Sequence, residues 1–567
     1  MNRNQNSHFS KNPQADIKRS RFRRNQSVKL SFNAGQLIPF YVDEVLPGDT
    51  MSIDTSKLVR MQTLITPCMD NIYLDTYYFF VPNRLVWEHW KNFMGENTTA
   101  PWYPDVEYTV PQLRPPQNSD MAVVGWPEKS IADYMGVPTD VVPDDPSSLG
   151  YSINALPFRA YALIWNEWFR DENLQTPQNV NTDDSTRIPN LSDSSGLNAG
   201  QYGLNPLPVG KYRDYFTSCL PAPQKGPDVL LPLGLRAPVF SLNDEHPTTP
   251  SDEVGTEGFL KFKPVSGEWS GTWLGAAVRA SDGAAVADVG GGYTPVGNMM
   301  GYYPTNLWSD LTQATSATIN QLRLAFQIQK IYEADARGGT RYIEVIANHF
   351  GVTSPDSRMQ RPEYLGGNRM LINVNQVVQN SESATTPQGT TTAYSLTVDR
   401  HSDFTHSFVE HGFLIGLCCA RYDHTYQQGL ERFWSRKSRF DYYWPKLANI
   451  GEQPVYNREI YLQGDPNDDG VFGYQEAWAD YRYKPNRVCG EMRSNVTNSL
   501  DVWHLGDDYS QLPSLSDTWI QEDATNVNRV LAVGDSVSNQ FFGDFYIENI
   551  STRPMPMFSV PGLIDHH

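Results

Sequence analysis

Four histidines lie close together near the C-terminal third of the sequence, where they could in principle bind a metal or transfer a proton. Their spacings of five, five and thirteen residues fit neither the i, i+4 pair of a metal-binding helix nor the alternate positions of one strand face. The pattern therefore favours structural or interface roles for His401, His406, His411 and His424.

Glycine-rich and nucleophile motifs give no better support for an enzyme. In the triglycine run at residues 290–292, Pro295 stands where a dinucleotide-binding loop needs its third glycine. The sequence contains no G-x-S-x-G, H-E-x-x-H or P-loop pattern. We therefore predict no catalytic residue, no bound cofactor and no enzymatic activity.

One acidic loop formally matches a calcium-binding pattern, D-x-N-x-D-G-x5-E, which places oxygen ligands at suitable intervals around a glycine turn. The flanks oppose this interpretation, because residues 459–463 read as a strand and Pro485 interrupts any following helix. A plain acidic turn is favoured over a metal site, and no metal ligand is predicted among Asp465, Asn467, Asp469, Gly470 and Glu476.

Positive charge is concentrated at the N-terminus. The chain carries a net charge of -19, yet residues 1–30 hold eight Lys or Arg against Asp16 alone. A basic arm on an acidic body indicates a protein that touches a polyanion through one terminal segment, although a solvated tail is the alternative. The predicted nucleic-acid-binding residues are Lys18, Arg19, Arg21, Phe22, Arg23 and Arg24.

Several composition features bear on the cellular compartment. The five cysteines are scattered without a C-x-x-C motif, which is typical of reduced thiols packed as small hydrophobes. No stretch approaches the ~18 apolar residues of a membrane span, and the N-terminus lacks the apolar core of a signal peptide. We expect synthesis in the cytoplasm and no membrane insertion.

Strand patterns predominate along the chain. Alternating residues 27–32 predict a strand directly after the arm, and further strands are predicted at 73–81, 371–378, 413–420, 459–463 and 541–547. Helices are predicted at 154–171 and 318–336, a polar loop at 380–393, and a long insertion at 227–311. The fold class is therefore mainly β, with helical and loop insertions.

The first predicted helix, residues 154–171, is apolar on nearly every face. Trp165, Trp168 and Phe169 present more apolar surface than one small helix can hide locally, so we predict that they contribute to contacts between subunits.

Long segments resemble the major capsid proteins of gokushovirus-type Microviridae. The longest, residues 319–377, begins INQLRLAFQIQKIYEADARGG, and the others are LPFRAYALIWNEWFRDENLQ at 156–175, RDYFTSCLPAPQKGP at 213–227 and FGYQEAWADYRYKPNRVCGEMRS at 472–494. With the N-terminal RSRFRRNQSVKLSFNAGQLIPFYVDEVLPGDT, the resemblance covers nearly the whole chain.

The resemblance implies an eight-stranded antiparallel jelly roll, sixty copies of which form a T=1 icosahedral shell around the circular single-stranded DNA of a small bacteriophage. It divides the chain into an arm at 1–26, jelly-roll parts at 27–226 and 312–567, and a variable insertion at 227–311 that forms a threefold protrusion for host attachment. Implied partners are a small DNA-binding protein, a minor capsid or pilot protein, an internal scaffolding protein and a bacterial surface receptor. The expected locations are the virion and, during assembly, the host cytoplasm.

Two other classes of protein are alternatives to a coat protein. A secreted β-rich carbohydrate-binding protein or glycosidase would use the 14 Trp and 30 Tyr, but it needs an export signal and a carboxylate pair. A cytoplasmic single-strand-binding protein would use the arm and the aromatic residues, but its groove would have to form on the acidic body.

Overall fold

The computed structural model describes residues 17–97, 107–143, 150–192, 195–227, 229, 319–382 and 387–558, and the backbone of short strands between 239 and 309. The chain divides into two compact units, one formed by Met1–Pro223 with Ala334–His567 and the other by Gln224–Glu333.

The described strands are β1 Ser20–Arg23, β2 Gln26–Phe32, β3 Ile38–Val45, β4 Thr50–Met61, β5 Ile72–Pro82, β6 Gln112–Leu113, β7 Ile153–Asn154, β8 Val239–Ser241, β9 Phe262–Pro264, β10 Ala276–Val278, β11 Ala285–Asp288, β12 Tyr293–Pro295, β13 Tyr302–Pro304, β14 Leu307–Ser309, β15 Glu363–Leu371, β16 Val374–Val378, β17 Thr391–Ser395, β18 Thr397–Ser407, β19 Gly412–Tyr422, β20 Thr425–Tyr426, β21 Glu452–Tyr456, β22 Val471–Glu476, β23 Asn486–Arg487 and β24 Phe541–Arg553.

The described α-helices are α1 Asn83–Val86, α2 Trp90–Phe93, α3 Ile131–Tyr134, α4 Leu156–Ile164, α5 Ile319–Gly338, α6 Tyr342–Phe350, α7 Asn457–Ile460, α8 Asp517–Ile520 and α9 Thr525–Val530. A π-helical turn, Trp165–Phe169, continues α4, and the other helical turns are short 3-10 segments. The mainly β class predicted from the sequence is confirmed.

Two antiparallel sheets form the main body. In the first sheet β24 pairs on one edge with β1 and β2 and on the other with β4, which in turn pairs with β18. The second sheet has the order β15-β5-β19-β3. Side chains from both sheets share one core, in which the rings of Phe40 and Phe545 lie 5.1 Å apart.

Strand β4 alternates buried and partly buried positions over nearly its whole length, although two of its inward positions are polar. Lys57 is fully buried, and its ammonium donates to Thr76 Oγ1 at 3.1 Å and lies 3.3 Å from the Asp399 carboxylate. The Thr55 and Tyr78 hydroxyls are 2.8 Å apart. Because Thr76 and Tyr78 belong to β5, these bonds join the two sheets through the core.

Strands β5 and β19 are buried on both faces. Their alternate residues pack either into the core between the sheets or into a second apolar cluster that contains α4. The second sheet is therefore a central layer, which explains the unbroken apolar run FLIGLCCA at 413–420.

The predicted helix at 154–171 begins two residues later than expected. Asn154 stands just outside the helix, and its Oδ1 accepts a hydrogen bond from the Leu156 amide at 2.9 Å. Pro157 occupies the first turn, where a missing amide hydrogen costs nothing. The predicted burial is confirmed, since seven of the nine residues of α4 are buried.

Other boundaries also differ from the sequence analysis. The predicted strand 371–378 is divided between the end of β15 and β16, and the last residues of the predicted loop 380–393 begin β17. The sheet begins at Ser20 rather than at residue 27, because residues 20–23 pair with Ile550–Arg553 at the end of β24. The strand predicted at 459–463 is wrong: residues 457–460 form α7, where the Glu459 carboxylate accepts from the Tyr456 amide at 3.0 Å and fixes the first turn.

Within the second unit, the predicted insertion contains short antiparallel pairs, β8 with β14, β9 with β13, and β11 with both β10 and β12. Most of residues 227–311 lie outside the described residues, as does Thr318, the predicted cap of the second helix. That helix, α5, ends at Gly338 as its pattern predicts.

Candidate nucleic-acid and assembly surfaces

The predicted DNA-binding residues lie in β1, at the start of the first sheet, and directly beside it in the sequence. Lys18, Arg19, Arg21 and Arg23 are exposed and form no ion pair with any carboxylate in the described part of the chain. Strand alternation in β1 puts Arg21 and Arg23 on the face opposite Phe22, which is half-buried. Four cations thus lie in a short ribbon, free to meet a polyanion.

Arg24 differs from its neighbours. Its guanidinium binds Asp43 through two nitrogens, one of them 2.7 Å from Asp43 Oδ1, and the Asp43 side chain is only 8% exposed. Arg553 reinforces this cluster, with its Nε 3.3 Å from the fully buried Asp49 carboxylate. The contact fixes the turn between β1 and β2 to β3, so Arg24 is a structural residue in this arrangement.

The three aromatic residues predicted at subunit contacts are accommodated mainly within one chain. Trp165 is 3% exposed and donates its indole N–H to Pro208 O at 2.7 Å, so it is a core residue and offers no surface to a neighbour. Trp168 and Phe169 are half-buried against Phe79 and Tyr77. The premise that the helix cannot hide these rings fails because the second sheet supplies an aromatic wall for them.

Sequence reasoning missed a surface at residues 432–447, RFWSRKSRFDYYWPKL. These sixteen residues hold five cations, one acid and six aromatic residues. Trp434 is 67% exposed, Phe440 62% and Tyr442 54%. Tryptophan, tyrosine and arginine are the residue types that dominate protein interfaces. The density of aromatic residues beside cations was the signal available in the sequence. We call residues 432–447 the aromatic-basic surface.

The acidic loop that matches a calcium pattern is a 3-10 turn followed by a strand. Asp465 caps the turn by accepting from the Asn467 amide at 2.9 Å, while Asp469 lies 2.6 Å from Arg458 and Glu476 binds Arg482. No cluster of three or more metal-ligating side chains occurs among the described residues. The favoured interpretation of a plain acidic turn matches this geometry.

His424 lies between two carboxylates, as a catalytic histidine would. Its Nδ1 is 2.9 Å from Asp507 and its Nε2 is 3.2 Å from Glu522. Burial opposes the charged form, but Glu522 and Asp507 outweigh it and raise the pKa of His424 to about 10. An imidazolium with both nitrogens engaged at neutral pH cannot act as a base, so this cluster is structural.

The described helices include none that is both long and apolar enough to span a bilayer. Cys68, Cys219, Cys418 and Cys419 are buried free thiols, as predicted for packing residues, and burial raises the pKa of Cys419 to about 12. Cys489 is exposed, so the prediction that all five thiols are packed is wrong for this residue.

The mainly β architecture, with facing antiparallel sheets, is consistent with a β-rich viral coat subunit. The comparisons with known proteins agree. The chain belongs to the phage family described as "Capsid protein (F protein)", whose model matches residues 10–563.

Three curated relatives are each named capsid protein VP1. That of Chlamydia phage 1 is 42% identical, covering 98% of this chain and 97% of its own length. That of Bdellovibrio phage phiMH2K is 39% identical over the same shares, and that of Spiroplasma virus 4 is 42% identical over 96% of each chain. The predicted resemblance is confirmed: the protein is a Microviridae major capsid protein and not an enzyme, which rules out the glycosidase alternative.

The His424 cluster predicts a specific pH dependence of stability. The pKa of this histidine is about 6.5 in an unfolded chain and about 10 in the folded one. Its stabilisation should therefore be complete below pH 6.5 and disappear as pH rises through 10. We expect His424→Gln to lower the free energy of unfolding by about 3 kcal/mol at pH 7, because two buried carboxylates lose their counter-ion.

Urea unfolding midpoints between pH 6 and 10.5 would check this. The difference between parent and His424→Gln should shrink towards high pH, while His401→Gln, at a half-exposed position, should track the parent. A constant difference across the range would contradict the assignment.

Proposed function

We propose that sixty copies of this capsid protein form a T=1 shell around circular single-stranded DNA, each built on an eight-stranded jelly roll. The family match over residues 10–563 carries this proposal. Two facing sheets support the jelly roll: one contains β24, β4, β18 and the consecutive short strands β1 and β2 along one edge, and the other contains four strands. The other proposed partners are the packaged DNA, a small basic protein, a pilot protein, a scaffolding protein and a bacterial receptor. Assembly is proposed to take place in the host cytoplasm.

The aromatic-basic surface is proposed as a contact between subunits. Monomeric proteins rarely expose contiguous apolar surface of this kind, and its rings are held on short 3-10 turns. Helix α6, elsewhere in the chain, also exposes apolar residues, with Tyr342 71% and Phe350 75% exposed. Burial of such rings against a neighbouring copy supplies the apolar core that a stable interface needs.

The N-terminal ribbon is proposed to lie inside the shell against DNA. Lys18, Arg19, Arg21 and Arg23 supply charge to phosphates, and no group among them could distinguish one base edge from another. Cations are needed there because the rest of the chain is acidic and would repel packaged DNA.

The aromatic-basic surface gives the first test. Trp434→Asp with Phe440→Asp should abolish shell formation, seen as loss of the virus-sized species in sedimentation, while circular dichroism and the unfolding midpoint stay near the parent values. Trp434→Phe with Phe440→Leu keeps the apolar surface and should still assemble. Normal shells from the aspartate variant would exclude this surface as a contact.

The ribbon gives the second test. Changing Lys18, Arg19, Arg21 and Arg23 to Gln should leave shells able to form but lower DNA retention as salt rises, with a log-log slope shallower by roughly 0.7 for each phosphate that is no longer bound. Arg24→Gln is the matched control, because it should cost stability, about 2 kcal/mol, without changing that slope. Unchanged DNA retention in the quadruple variant at every salt concentration would refute the DNA contact.

The insertion at 227–311 is proposed to project outward as the threefold protrusion and to take part in host attachment, since binding functions concentrate on loops held by a rigid scaffold. Replacing residues 243–300 with a short Gly-Ser linker should preserve shells and reduce adsorption to host cells. Undiminished adsorption of the shortened particles would argue against this role.

A further inference from the structure

A cavity of about 520 Å³ opens beside the second sheet, on the side that carries α4. Its size falls within the range of sites for small organic ligands. Strands β5, β15 and β19 contribute one wall, the π-helical turn after α4 a second, and the segment Gly210–Arg213 a third. All of these elements belong to the unit formed by Met1–Pro223 and Ala334–His567.

The cavity is strongly basic on a chain that is acidic overall. Six cationic side chains line it: Arg170, Lys211, Arg213, Arg341, Arg369 and Arg421. The carboxylates that form ion pairs with them are Asp75, Asp171 and Glu344, so six cations share three ion-pair partners. Burial and the neighbouring Arg341 both lower the pKa of Arg170, which reflects this crowding of like charge.

Buried carboxylates hold the arginines in place. Asp75, whose side chain is 3% exposed, lies 2.7 Å from Arg369 Nε and 2.5 Å from Arg421 Nη2. The Tyr212 ring lies between the same two guanidinium groups, 4.4 Å and 4.3 Å from them, and its hydroxyl donates to Asp75 at 2.9 Å. The Nε side of the Arg369 guanidinium is thus held by Asp75, while more than half of the Arg369 side chain remains exposed.

Lys211 is the cation with most freedom to bind a ligand. No carboxylate of the described residues lies within ion-pair distance of its ammonium, which instead sits 4.7 Å from the centre of the Trp519 ring. Arg213, 56% exposed and bound to Asp171 at 2.5 Å, stands two residues away. The two side chains present donors suited to a phosphate.

Aromatic rings complete the site. Trp168, Phe79 and Tyr364 form a connected group, with ring centres 5.4 to 5.9 Å apart. Arg361 covers one face of Trp168 at 4.1 Å, whereas Tyr364 is 43% exposed. Tyr364 is therefore the ring that a planar ligand can stack upon.

We propose that this cavity binds a nucleotide, with the phosphate against Lys211, Arg213 and Arg369 and the base stacked on Tyr364. Surplus cations beside an exposed aromatic face are the combination by which proteins bind single-stranded nucleic acid without reading its sequence. The identification of the ligand as one unit of the packaged DNA rests on the proposed function. A free nucleotide offers the same chemistry, and the experiment separates the two sources.

The test measures binding of fluorescein-labelled (dT)8 to full-length subunits in which the four ribbon cations are already Gln, so that the ribbon does not mask the cavity. Lys211→Gln should weaken binding severalfold at low salt and reduce the log-log salt slope by roughly 0.7. Tyr364→Ala should weaken it about fivefold or more, and Tyr364→Phe should restore parent affinity. Lys91→Gln, an exposed cation of α2, is the control for loss of one charge.

Thymidine monophosphate and inorganic phosphate serve as competitors. If the monophosphate competes as strongly as the unlabelled oligonucleotide, and if Tyr364→Ala weakens that competition, the site belongs to a free nucleotide. If inorganic phosphate competes as strongly as the monophosphate, and if Tyr364→Ala does not change the affinity for (dT)8, the nucleotide assignment is overturned.

Two outcomes would overturn the proposal. In the first, both Lys211→Gln and Tyr364→Ala bind (dT)8 with the affinity of the parent. In the second, these variants keep that affinity but fail to form shells, which would make the cavity a subunit contact. Failure of the parent protein to form shells would instead count against the proposed function, since binding is measured on free subunits.

Discussion

The position of one sheet over the other depends on polar bonds made through an otherwise apolar core. Apolar side chains alone would allow two stacked sheets to shift by one residue pair at small cost, because burial has no direction. The Lys57 ammonium and the Thr55 hydroxyl have direction, and their partners Thr76 and Tyr78 lie on the opposite sheet. A shifted alignment would leave the Lys57 ammonium only Asp399, a residue of its own sheet, and would break the buried hydrogen bonds to Thr76 and Tyr78, which costs more than a small decrease in apolar packing.

That alignment reaches the outer face of the second sheet. Asp75 lies between Thr76 and Leu74 on β5 and points away from the core, towards Arg369 on β15 and Arg421 on β19. Fixing β5 against the first sheet therefore also fixes the basic cavity on its other side. The chain is acidic overall but still has local basic sites. Buried carboxylates form short ion pairs with several cations at once and so hold these cations together in small groups.

Sequence patterns predicted the central strands of the second sheet and missed several others, including β3 and β4. Strands β5 and β19 stand out because burial on both faces produces continuous apolar runs, whereas β4 hides its alternation behind Thr55 and Lys57 at inward positions. The site residues show the same limit. The exposed charges of Lys18 to Arg23 were predictable from composition, but the Arg24 partner, Asp43, and the wall that buries Trp165 belong to other elements and depend on the tertiary fold.

The pairing of β1 with the end of β24 has a consequence for engineering this protein. Ser20 lies opposite Arg553 in an antiparallel pair, so the residues before Ser20 and those after Arg553 leave the sheet at the same end. A peptide joined directly after Arg553 would therefore start on the same side of the sheet as the N-terminal ribbon. If the ribbon faces packaged DNA, such a fusion would be enclosed as cargo, and display on the particle exterior would have to use an internal insertion.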